Sequence, residues 1–158
     1  MFRTAHDGDL LALAELERDA NVAALRHVFP PDEHPFPLDD VLARWRLVLD
    51  DPAAEVIVAD RPDASGLLLY AAFDRDSLRH LAVHPSAWGR GLAGAVVDVV
   101  VERARARGST SLDLWVLDDN HRARRLYERL GWRPTGESRE AVWPPHPCES
   151  RLSRPLAG

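Results

Sequence analysis

A chain of 158 residues can bury a core without metals or disulfides, and it reads as a single domain over residues 1–158. Hydrophobic residues make up 46% and charged residues 28%, and no apolar run approaches the roughly 20 residues that span a bilayer. The net charge of -5 disfavours a nucleic-acid backbone, so neither nucleic acid nor membrane is expected as a partner.

Residues 2–5 read as a short edge strand. Asp7 or Asp9 can cap a helix whose apolar positions Leu10, Leu13, Leu16, Val22 and Leu25 keep helical spacing. The stretch 29–37, FPPDEHPFP, holds too many prolines for a helix or a central strand. A second helix follows over 38–49, with Asp39 and Asp40 near its positive end. A β region comes next, with strands over 56–59, 67–73 and 78–83 and turns at 61–66 and 74–76. Beyond a glycine-rich stretch, an apolar helix runs to about residue 107 and is stopped by Gly108. Residues 111–116, SLDLWV, alternate as a strand should, and Asp119 or Asn120 caps a last helix that ends at Leu130. Strands at 133–138 and 148–152 flank the loop WPPHP. The order βααβββαβαββ predicts the α/β class, a three-layer α/β/α sandwich around a mixed, mostly antiparallel sheet.

Composition prunes the chemistry. The chain has no lysine, and all 20 basic residues are Arg. That removes a phosphate-loop Lys, a Schiff-base Lys and a Lys general base. Cys148 is alone, so no intrachain disulfide can form. With an N-terminus that lacks the layout of a signal peptide, this predicts a cytoplasmic protein. No His, Cys or carboxylate cluster has ligand spacing, so no metal is expected.

The most informative segment is 80–101, HLAVHPSAWGRGLAGAVVDVVV. An apolar strand enters a Pro-punctuated turn, and Gly89-Arg90-Gly91-Leu92-Ala93-Gly94 then opens an apolar helix. Small residues there admit a ligand close to the backbone, and the free N–H groups of the helix start favour anionic oxygens, phosphates above all. The bare pattern Gly89-x-Gly91-x-x-Gly94 also fits a dinucleotide fingerprint, with Asp118 or Asp119 as the ribose acid. Residues 84–88 separate strand from glycines where that fingerprint needs a tight turn, and further βα units are lacking.

The chain resembles the GNAT superfamily of N-acetyltransferases, most strongly from Leu78 to Trp132. The family's coenzyme A signature is Arg or Gln, two residues, Gly, one residue, then Gly or Ala. Here it reads Trp88-Gly89-Arg90-Gly91-Leu92-Ala93, with Trp88 departing from the first position. A second signature is carried by Asn120, Ala123, Tyr127 and Leu130-Gly131-Trp132. The resemblance implies acetyl-coenzyme A as co-substrate, with its pyrophosphate on the N–H groups of 89–94. It also implies that backbone groups near Leu81, Ala82 and Val83 hold pantetheine, one N–H serving as an oxyanion donor.

The implied reaction is acetyl transfer to a primary amine by direct attack, with no covalent acyl-enzyme. Tyr127 is then the expected general acid, since a phenol starts protonated at neutral pH. His80, on the strand entering the site, is the candidate base, with His84, Glu33 and Glu55 as alternatives. Asn120 is expected to cap its helix and touch the ligand, and Arg125 or Arg90 to reach phosphates. The expected acceptor is a small-molecule amine or a peptide N-terminus, walled by residues 20–45 and, on the other side, by Trp143 and the PPHP stretch. A homodimer is a further expectation from the resemblance. The rival from another class is a non-catalytic acyl-coenzyme A binder of the same fold.

Overall fold

The computed structural model describes residues 1–156. A single edge strand β1 (Arg3–Thr4) leads through a 3-10 turn into helix α1 (Leu10–Ala24), and α2 (Leu38–Asp50) follows the proline-rich loop. Strands β2 (Glu55–Asp60), β3 (Leu67–Phe73) and β4 (Leu78–Val83) come next. The glycine segment opens α3 (Leu92–Ala106), followed by β5 (Ser111–Leu117), α4 (His121–Arg129), β6 (Arg133–Glu140) and β7 (Cys148–Pro155). The element order matches the sequence reading, with ends moved by one to three residues.

The first helix begins differently from the expectation. Asp9 makes no side-chain cap; His6 caps the 3-10 turn over Asp7–Asp9 through its Nδ1, which accepts from Gly8 N–H at 3.1 Å. The Asp9 carboxylate accepts from His6 N–H at 2.9 Å and from the Arg3 guanidinium. Arg3 also reaches Asp60, so one Arg ties β1, the helix start and the end of β2 together.

Two sheets, not one continuous sheet, form the middle layer: β1-β2-β3-β4 and β5-β7-β6, with every ladder antiparallel. Among the described residues the only parallel contact is an isolated bridge between Ser77, just before β4, and Asp113, early in β5. Beyond it the two strands diverge, and the edge of β4 is left unpaired. Each sheet face buries a different helix pair. Leu13, Leu16, Val41, Trp45 and Val48 of α1 and α2 pack on Val56, Val58, Tyr70 and Ala72. On the other side Val96, Val97, Val100 and Ala104 of α3 pack on Ile57, Leu69, Ala71 and Phe73, joined by Leu112 and Leu152 from the second sheet and by Trp132 just before β6. Period-2 alternation in β5, and helical spacing in α1 and α3, explain these faces.

Candidate active site

The divergence of β4 from β5 opens a cleft of about 480 Å³ lined by Leu81, Ala82, Val83, Gly89, Gly91, Leu92, Ala93, Gly94, Asn120 and Tyr127. One cavity therefore gathers nearly all the residues singled out from sequence. His84 N–H donates to Leu68 O across to β3 at 2.7 Å. Strand alternation then turns the backbone groups of Leu81 and Val83 away from β3, toward the open edge. Trp88 takes one of them, donating from its indole N–H to Val83 O at 2.8 Å.

At the far end of the cleft, α3 presents its N-terminus. The first intrahelical bond is Ala95 N–H to Gly91 O at 3.1 Å, so the N–H groups of Leu92, Ala93 and Gly94 have no helical acceptor. Gly89 and Gly91 hold φ values of 80 and 76, and a Cβ built on either meets nothing within 4 Å. Both residues line the cleft, and at these positive φ values only glycine gives a relaxed backbone while adding no side chain there. The arrangement fits an anion of pyrophosphate size lying along the helix start.

Helix α4 forms the opposite wall. Asn120 caps it, accepting from Ala123 N–H at 3.2 Å, while still lining the cleft. Tyr127 is 9% exposed and packs edge-on against Trp132, with ring centroids 5.8 Å apart. Burial pushes its phenol well above the ordinary value.

Several expected residues sit elsewhere. His80 lines neither this cleft nor the cavity described below. Its ring packs 5.2 Å from that of Trp45, and burial, then Arg44 and Arg79, push its pKa down to about 3. The imidazole faces the core under α2 because β4 alternation sends it to the side opposite Leu81 and Val83. It is neutral but too weakly basic to drain protons from an ammonium, and the structure does not bring it to Tyr127. His80→Leu is accordingly expected to leave turnover intact. A group with a depressed folded pKa contributes stability above its unfolded value, near 6.5, that is lost as pH falls toward 3. The variant should therefore lose less melting temperature between pH 7 and 5 than the parent; a collapse of turnover instead would restore the base role.

His84 caps the short turn after β4, with Nδ1 2.7 Å from Ser86 Oγ. Glu55 is engaged by Arg103 and Arg107 of α3. Arg90 turns away from the cleft lining and donates to Ser86 O at 3.4 Å. Cys148 is exposed on β7 and lines neither cavity.

Further residues line the cleft, Arg125 of the basic helix end among them. Arg122 lies over the Trp88 ring, 3.9 Å from its centroid, and is in no ion pair among the described residues. Burial, then Arg125 and Arg129, depress its pKa from the ordinary value, yet a guanidinium stays charged at neutral pH. Tyr70 of β3 and Asn21 of α1 complete the floor.

Asn21 also lines a second cavity of about 500 Å³, enclosed by the FPPDEHPFP loop, α1, α2 and the loop around Trp143. Residues from the 20–45 stretch and from the loop around Trp143 thus line one cavity. Between the cavities, Glu17 is 7% exposed and accepts from Trp45 Nε1 at 3.0 Å and from the Arg44 guanidinium. Its signal was legible: a carboxylate within the apolar stripe Leu13, Ala14, Leu16 and Ala20.

Comparisons with known proteins agree with this geometry. A family model described as the acetyltransferase (GNAT) family matches residues 11–132. A mycothiol acetyltransferase of Beutenbergia cavernae is 34% identical over 110 residues, covering 66% of this chain and 36% of that protein. The chain thus spans about a third of this curated relative's length. A GCN5-related N-acetyltransferase from Rhodopseudomonas palustris superposes with a TM-score of 0.81 at 15% identity, covering 98% of this chain and 94% of that one. PaiA N-acetyltransferase from Thermoplasma acidophilum, solved in complex with coenzyme A, gives 0.75 at 12% identity, covering 98% of each chain. The matched span covers both strands of the cleft edge, its glycine cradle and the α4 wall, and the chain belongs to the acetyltransferase (GNAT) family.

Proposed function

We propose that this protein transfers an acetyl group from acetyl-coenzyme A to a primary amine by direct attack, without a covalent acyl-enzyme. The observation that carries the proposal is the coincidence, in one cleft, of the Gly89/Gly91 cradle at the start of α3, the unpaired β4 edge and Tyr127. When bound, the coenzyme would supply an activated thioester. Leu92, Ala93 and Gly94 N–H groups would hold its pyrophosphate, and the outward backbone groups of Leu81 with the N–H of Val83 would receive its pantetheine arm as an added strand. An N–H of that edge would stabilise charge developing on the thioester oxygen. Tyr127 would donate to the departing sulfur. Cys148 stands outside both cavities, and hydrogen bonding to Asp118, then burial, push its thiol up, which weakens it as a nucleophile.

Arg122 gives the departure at position 88 a physical meaning. Trp88 cannot offer the cationic or amide side chain of the signature, but its indole face holds a guanidinium supplied by α4 in the same cleft. In this reading Arg122 replaces the missing phosphate contact.

Thermal unfolding with acetyl-coenzyme A, coenzyme A, NADH or ATP tests the whole assignment. A ligand at 100 times its dissociation constant adds about 2.7 kcal/mol, which raises the midpoint by several degrees. Selective stabilisation by the two coenzyme A species is expected; stabilisation by NADH alone would overturn the reading. Removing one charge-assisted phosphate contact costs about 1.5–3 kcal/mol, so Arg122→Ala should weaken coenzyme binding roughly 10- to 100-fold. In a Trp88→Arg background the same change should matter little. Equal losses in both backgrounds would place Arg122 outside the phosphate contact.

A further inference from the structure

The second cavity has a chemistry of its own. Its walls are mostly apolar, built from the rings of Phe29, Phe36 and Trp143, the side chain of Val41 and several prolines. Glu17, Glu33 and Asp40 also line it, and no Arg does, in a chain with 20 of them. Glu33 and Asp40 form no ion pair among the described residues, and both are exposed. A mostly apolar, open-mouthed hollow whose carboxylates are Glu17, held by Arg44, and the unpaired Glu33 and Asp40, with His34 and His146 beside them, is complementary to a cation carrying an apolar body. The volume of about 500 Å³ lies within the range of small-molecule sites.

Continuity fixes the orientation. Asn21 lines both cavities, and Glu17 lies one helical turn before it on the same face of α1. The amine must reach the coenzyme cleft through that junction, so the apolar body remains among the Phe and Trp rings.

We infer that the acceptor is a small primary amine with a single cationic end and a bulky, aromatic-sized apolar body. The inference rests on the acetyltransferase reading above. In the reaction the acceptor nitrogen forms a bond to the acyl carbon, the carbon–sulfur bond breaks, and one proton of the amine ends on the coenzyme sulfur. A polyamine would set its second ammonium near Glu33 and Asp40 but has no apolar body to fill the space among the Phe and Trp rings. A peptide would bury amide groups where few partners exist, at a cost of about 1–3 kcal/mol for each unsatisfied group. Both are disfavoured.

The test measures initial rates of thiol release from acetyl-coenzyme A with 2-phenylethylamine, tryptamine, spermidine or a polar hexapeptide with a free N-terminus. The two aromatic amines should exceed the others in kcat/KM by at least about tenfold, the scale of one or two buried methylenes. Phe36→Ala should raise KM for 2-phenylethylamine about tenfold while stabilisation by the coenzyme, read by thermal unfolding, is kept. Equal or faster turnover of spermidine or the peptide overturns the inference. So does the absence of turnover with any of the four while the coenzyme still stabilises the protein. Loss of coenzyme stabilisation in the parent chain overturns the underlying reading instead, which separates the two failures.

Discussion

Tyr127→Phe is expected to lower kcat by about two to four orders of magnitude while leaving coenzyme affinity within about twofold of the parent. The substitution removes only the hydroxyl. The ring keeps its edge-on contact with Trp132 in the shared core, so folding is preserved and the loss belongs to chemistry. Burial raises the phenol, so Tyr127 stays protonated through neutral pH and has a proton to offer. An ordinary thiol titrates near 8.5, below this phenol. In the proposed reaction Tyr127 would steady the departing sulfur with a donated hydrogen bond and give up its proton only as it regains one from the acceptor ammonium. No limb of the rate–pH profile below pH 10 should belong to it, and the variant should show the parent's profile at a lower rate. Unchanged turnover would reduce Tyr127 to packing. A parent chain that binds the coenzyme yet acetylates no amine would favour the non-catalytic binder.

The parts of this fold legible in the sequence are those written locally. The helix starts and stops of α3 and α4 rest on Gly91, Gly108 and Asn120, each acting on its own neighbours, and the observed ends agree to within a residue or so. The cradle was readable for the same reason. What could not be read depends on residues far apart in the chain. The side of the sheet that His80 takes was not legible, because strand alternation leaves two faces and only tertiary packing decides that this one lies under Trp45. The place of Arg122 depends on Trp88, 34 residues earlier in the chain, whose ring lies beneath it. The separation into two sheets is likewise a long-range matter, since it turns on a single bridge between Ser77 and Asp113.

Gly91→Asp should cost the coenzyme site far more than it costs the fold. Gly91 sits in the left-handed region at the N-cap of α3, where Asp is among the better tolerated residues, and its Cβ would meet no atom within 4 Å. The loss of stability should be about 1–2 kcal/mol, seen as a modest drop in the unfolding midpoint. The new carboxylate, however, points into the space assigned to the pyrophosphate. Two like charges about 4 Å apart repel by about 4 kcal/mol at an effective dielectric of 20, which weakens binding on the order of a thousandfold. Gly91→Ala shares the backbone strain and some of the bulk but none of the charge, so the difference between the two variants isolates electrostatics. Titration calorimetry with coenzyme A reads both. The ordering expected is parent, then Ala, then Asp, with the Asp variant restored in part by neutralising it as Gly91→Asn. Near-parental affinity in the Asp variant would move the phosphates away from α3, and the Gly89/Gly91 pair would then be a feature of the turn alone.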